Sequence, residues 1–145
     1  MRERFWERFS LGELNGKEWE ALCDGCGKCC LKRESDGTHV TVYGVACRLL
    51  DLATSRCTDY AHRLDKMPYC RALTAATIAE YSWLPESCAY RRLNSGKQLP
   101  KWHPLLVGDD AKMRKLGIKV GDYALSRNEV PKRRMQRHII AKQRL

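Results

Sequence analysis

The chain has 145 residues, 43% of them apolar and 30% charged, with a net charge of +10. That length suits one core and is short for two, and the apolar fraction is that of an ordinary globular protein rather than a disordered one. No stretch approaches the roughly 20 consecutive apolar residues of a membrane helix. Residues 1–10 lack the apolar run of a secretory signal, so the expected location is the cytoplasm, with no membrane partner.

In chain order, Asn15 followed by Glu18 forms a capping-box pattern and predicts a short helix over 13–22, with Leu14, Trp19 and Leu22 on one face. The run from Cys23 to Cys30 reads as a tight loop in which Gly25 and Gly27 admit positive φ. A turn is expected over 35–38, then a strand over 39–45 in which Val40, Val42 and Val45 alternate, though few other segments read as its partner. Cys47 to Leu52 reads as the start of a short helix. A second helix is expected over 75–81, capped by Thr74, and a third over 86–94, stopped by Gly96. Residues 99–106 hold two prolines and should be irregular, and 118–124 is ambiguous. Pro131 suits a first helical position, which predicts a basic amphipathic helix over 132–145 with Met135, Ile139 and Ile140 as its apolar side. The fold expected is mainly α, with long loops and a short β-hairpin, in a small single domain stapled by metal. Its body would span 1–126, with a basic C-terminal helix over 127–145 packed on it or extending from it.

Eight cysteines in a chain expected to stay in a reducing compartment point to metal ligation or redox chemistry rather than to disulfides. From Cys23 the spacing is C-x2-C-x2-C-C (Cys23, Cys26, Cys29, Cys30), followed by isolated Cys47, Cys57, Cys70 and Cys88. A C-x2-C pair lets two thiolates from one turn reach the same ion, as in zinc sites, and the first three cysteines match the opening of a bacterial iron–sulfur run. Adjacent cysteines do not easily point into one mononuclear site, which gives Cys30 a candidate role at a second centre. Arg48, Arg56, Arg71 and Arg91 each follow or precede one of the later cysteines. They are candidates to favour its thiolate, although 27 Lys and Arg will place some beside cysteines by chance.

The segments Glu18-Trp-Glu-Ala-Leu-Cys-Asp-Gly-Cys-Gly-Lys-Cys-Cys30, Val45-Ala-Cys-Arg-Leu-Leu-Asp51, Cys57-Thr-Asp-Tyr60, Trp83-Leu-Pro-Glu-Ser-Cys-Ala-Tyr-Arg91 and Leu99-Pro-Lys-Trp-His-Pro-Leu-Leu106, with Glu129-Val130 and His138-Ile139, carry a resemblance. The chain resembles the YcgN-like bacterial cysteine-cluster proteins, within the wider group that has a CxxCxxCC zinc- or iron-chelating domain. The resemblance covers nearly the whole chain and implies metal chelation by the cysteines, with no established reaction. Family members often carry C-x-C where this chain has Ser55-Arg56-Cys57, and the ending here is more basic than the family's.

Of the histidines, His103 is the best candidate ligand beside the thiols, against the alternative of a histidine bonded to backbone in a proline-bounded loop. His39, His62 and His138 have weaker cases. The tail 127–145 carries seven Lys/Arg against one Glu, or +6 of the total +10, which suits an acidic partner or nucleic acid. The leading functional class is a protein that binds zinc, iron or an iron–sulfur cluster. The alternatives are a cluster-dependent modifying enzyme, since a related domain occurs in flagellin lysine methylases, and a zinc-stabilised nucleic-acid-associated protein.

Overall fold

A computed structural model describes residues 1–144. Its helices and strands run α1 (Phe5–Arg8), α2 (Gly16–Ala21), β1 (Leu31–Ser35), β2 (His39–Ala46), β3 (Leu50–Asp51), β4 (Arg56–Cys57), α3 (Arg63–Lys66), α4 (Ala89–Asn94), α5 (Pro104–Val107), α6 (Ala111–Lys115), β5 (Leu125–Ser126) and β6 (Ile139–Arg144). Short 3-10 turns separate many of them. The expectation of a mainly α fold is therefore overturned: a four-stranded sheet and a separate two-stranded hairpin stand beside short helices. No helix among the described residues is long and apolar enough to cross a membrane.

The chain forms two compact units, one of residues 1–24 and 73–116, the other of 25–72 and 117–144. In the first, the expected capping box is present. Asn15 accepts the Glu18 backbone N–H at 2.9 Å and Glu18 accepts the Asn15 N–H at 3.1 Å. Glu18 is also fully buried and receives Arg2, whose Nη2 lies 2.7 Å from its carboxylate. Phe5, Leu22, Ile78, Leu84, Ala89, Tyr90 and Leu99 form one core, against which Trp6, Trp19, Trp83 and Cys88 pack. The Tyr90 hydroxyl closes that core by donating to the Trp19 carbonyl at 2.7 Å.

The helix expected over 75–81 is a single 3-10 turn, Ile78–Glu80. Thr74 and Thr77 bond each other's hydroxyls and backbone N–H groups instead, a local competition that stops helix growth. The helix over 86–94 begins only at Ala89, after Pro85, and ends where predicted. Gly96 N–H bonds the Leu93 carbonyl and Lys97 N–H the Arg92 carbonyl, the paired closing bonds of a glycine stop. The stretch expected to be irregular over 99–106 contains α5.

In the second unit β2 is the central strand. It pairs antiparallel with β1 on one side, and antiparallel with β6 and parallel with β5 on the other. The turn joining β1 to β2 is fixed by Asp36, which accepts N–H groups of Thr38 (2.8 Å) and His39 (2.7 Å). Those bonds hold its carboxyl down at about 2. The short helix expected from Cys47 is instead a turn leading into β3, which pairs with β4.

The basic C-terminal helix is also corrected. Residues Lys132–His138 form 3-10 turns and Ile139–Arg144 form β6, Leu145 lying outside the described residues. A lone helix of that length is marginal in water, while Ile139 and Ile140 favour a strand and β2 offers an edge to pair. Met135 folds under with Tyr43, Val45 and Val130 as a small core. A second small core joins Leu31, Ala46, Leu50, Val120 and Ala124, with Cys30 packed against it.

Candidate metal centre

All eight cysteines carry thiols rather than disulfides. The boundary between the units falls inside the cysteine motif, between Asp24 and Gly25. Cys23 and Cys88 belong to the first unit, and Cys26, Cys29, Cys30, Cys47, Cys57 and Cys70 to the second.

In the second unit Gly25 and Gly27 take φ of +75° and +76°, the left-handed conformation that the sequence anticipates. A side chain at Gly27 would also collide with Val120, whose Cγ2 lies 2.7 Å from the position a Cβ would occupy. The Val120 N–H bonds the Cys26 carbonyl at 2.9 Å, so the loop is seated on segment 119–121. That segment approaches closely because Gly121 has no side chain: a Cβ there would sit 1.9 Å from the Leu52 carbonyl oxygen. Ser55 is buried with φ +58°, and its hydroxyl accepts the Gly121 N–H at 2.9 Å. Its oxygen therefore holds the seat of the loop.

The loop ends in the 3-10 turn Lys28–Cys30. That turn lets the adjacent cysteines meet: a hydrogen bond between the Cys29 and Cys30 side chains is the largest cause of a Cys29 thiol pushed well above its usual range. Cys29 is exposed to solvent, and desolvation is a further, smaller cause of the rise. The Cys26 sulfur accepts the Lys28 N–H, and the Cys47 sulfur the Leu49 N–H, both at 3.5 Å. Cys47 is tied to the loop through its own N–H, which donates to the Cys30 carbonyl at 2.8 Å. Cys57 is positioned by β4, opposite Leu50. Burial raises the Cys70 thiol first, Arg63 opposes that rise, and Cys29 and Cys57 are close enough to add to it.

The sulfurs of Cys29, Cys30 and Cys26 thus act electrostatically on Arg33, and those of Cys29 and Cys57 on Cys70. Among the described residues no three histidine, cysteine or carboxylate side chains are already converged to hold an ion. The fit to zinc or iron therefore rests on the donors themselves, six thiols in one unit, with two sulfurs already accepting backbone N–H groups.

The arginines adjacent in sequence play other parts. Arg48 bonds Met67 Sδ and the Lys66 carbonyl, Arg71 the Pro68 and Cys70 carbonyls, and Arg91 the Leu84 carbonyl, while the Arg56 guanidinium lies over Gly25. Sequence neighbourhood missed Arg33 and Arg63. The one available signal for Arg33 was its place three residues after Cys30, where the chain turns back as a strand. In the first unit, His103 is fully buried and both ring nitrogens are engaged. Nδ1 accepts the Leu105 N–H at 3.0 Å, which leaves Nε2 to donate to the Leu22 carbonyl at 2.8 Å. Cys23 is exposed, and Cys88 is partly buried at the start of α4.

Comparison with known proteins agrees with this chemistry. Residues 22–89, which include all eight cysteines, match the family model CxxCxxCC, described as "Putative zinc- or iron-chelating domain". The cysteine-bearing segment is thus similar to a domain family described as zinc- or iron-chelating. The chain is 46% identical over 138 residues to a UPF0260 protein of Shewanella denitrificans, covering 94% of this chain and 93% of that one. It is 46% identical over 140 residues to one of Azotobacter vinelandii (95% and 94%), and 51% identical over 124 residues to one of Gluconacetobacter diazotrophicus (84% and 78%). The chain belongs to this UPF0260 family. No solved structure matches it.

Proposed function

We propose that this protein binds zinc or iron, as ions or as an iron–sulfur cluster, through its cysteine thiolates. Cys26, Cys29, Cys30, Cys47, Cys57 and Cys70 are the ligand pool of the second unit, and Cys23 and Cys88 are ligands carried by the first. The carrying observation is that one unit holds six thiols, Cys26, Cys29 and Cys30 among them on a loop whose backbone is already shaped by Gly25 and Gly27 and seated on Val120. Six thiols in one unit exceed the four that a structural zinc site uses. When bound, zinc would supply a cross-link between loop and sheet, and an iron–sulfur cluster would supply electron transfer.

The test is anaerobic purification followed by zinc, iron and sulfide analysis and thiol alkylation. The expected result is stoichiometric bound metal, with the thiols shielded until a chelator is added. Folded, metal-free protein whose eight thiols all react at once would overturn the reading.

A further inference from the structure

Arg33 lies on β1, three residues beyond Cys30, and its side chain runs back over the ligand loop. Nη1 donates to the carbonyls of Cys29 and Leu31, both at 3.1 Å, and Nη2 donates to that of Lys28. The pairing of β1 with β2 shifts register between Leu31 and Arg33, an irregularity of the kind that re-aims a side chain away from the sheet's alternation. One guanidinium thus gathers carbonyls from both ends of the 3-10 turn that presents Cys29 and Cys30.

The surroundings of that guanidinium are unusual for an arginine. It is half-buried, bonded to the Cys29 carbonyl and to those of Lys28 and Leu31 on either side of the Cys29–Cys30 pair. Protonated thiols offer a half-buried cation little. A centre of four thiolates around a divalent ion carries a net charge of about −2, and a fixed, partly dehydrated cation beside it interacts more strongly than it would in water. The charge is in position before the metal arrives, and it favours the loaded state over the empty one.

We propose that Arg33 is a positioning residue for the metal centre: three loop carbonyls hold its side chain beside the cysteines, where it supplies the fixed positive charge that an anionic thiolate centre requires. This rests on the metal-binding reading above. Two substitutions separate the parts of the claim. Arg33→Lys keeps the charge and loses the planar fork; Arg33→Gln keeps a donor for the carbonyls and loses the charge.

The experiment measures zinc affinity of the full chain by chelator competition, with the cobalt(II)–thiolate absorption spectrum as a check on the ligand set. Arg33→Gln is expected to bind zinc about 10- to 100-fold more weakly. Arg33→Lys should stay within a few-fold of the unsubstituted chain, and all three should give the same cobalt spectrum. Arg33→Gln binding as tightly as the unsubstituted protein, or Arg33→Lys falling as far as Arg33→Gln, would overturn the proposal. So would a cobalt spectrum altered by either substitution, since that would make Arg33 a determinant of the ligand set. Should Arg33→Gln not fold, Arg33→Lys decides alone by keeping or losing its affinity. An unsubstituted chain that binds no zinc or cobalt overturns the metal-binding reading and this inference together, whereas a failure confined to the variants removes only the role of Arg33.

Discussion

In the first unit seven buried apolar side chains, from Phe5 to Leu99, meet in one cluster ringed by tryptophans. In the second unit the buried apolar residues divide into clusters of five and four, linked by strand pairing and by a loop that holds three of the cysteines. The first is organised as an ordinary hydrophobic core. The second has too little continuous apolar interior for that, and small cores of this kind are commonly supplemented by metal. The difference teaches where an inorganic centre would matter for folding as well as for chemistry.

The largest expected effect comes from taking the metal away. Structural zinc contributes on the order of 10 kcal/mol of folding free energy in small domains. Chelation should therefore release hydrogen-exchange protection across 25–72 and 117–144 while 73–116 keeps its own. Equal loss in both units would erase the contrast. Next in size is Leu84→Ala, which removes a fully buried side chain from the first core and should cost about 3 kcal/mol in denaturant unfolding. That cost should be the same with and without chelator; a cost that depends on metal would mean that the two units do not gain stability separately.

The smallest effect is a pH dependence confined to the first unit. The hydrogen bond from Arg2, opposed by desolvation and aided by the backbone N–H groups of Asn15 and Arg2, lowers the Glu18 carboxyl from 4.5 to about 2. A depressed carboxyl adds stability above its unfolded value and loses it as pH falls through its folded one. Glu18→Gln should accordingly lower the thermal midpoint at neutral pH, and the difference from the unsubstituted chain should shrink between pH 4.5 and about 2. A difference unchanged down to pH 2 would mean that the charge of Glu18 is not what matters.

Local signals in the sequence were read well where the cause is local. The Asn15–Glu18 cap, the Gly25 and Gly27 turns, the Gly96 stop and the strand around Val40 and Val42 each depend on a few neighbouring residues. The chemistry of the cysteines and the family were legible from spacing and motif. What was not legible depends on pairing at a distance. Residues 139–144 become a strand because β2 has an edge to offer, and one of the groups acting on Cys70, Cys29, comes from the distant turn Lys28–Cys30. The guanidiniums that face the thiols, those of Arg33 and Arg63, belong to β1 and α3 rather than to the positions beside Cys47, Cys57 or Cys88.

β6 also gives the basic ending a use that needs no outside molecule. It covers one flank of β2, the most apolar strand of the sheet, and turns Lys142 and Arg144 toward water on the outermost rim. Strand rims that carry lysine and arginine resist joining their counterparts on other molecules, because two such rims brought together set like charges side by side. An edge that carries Lys142 and Arg144 is of this kind, and it disfavours pairing with the edge of a second copy.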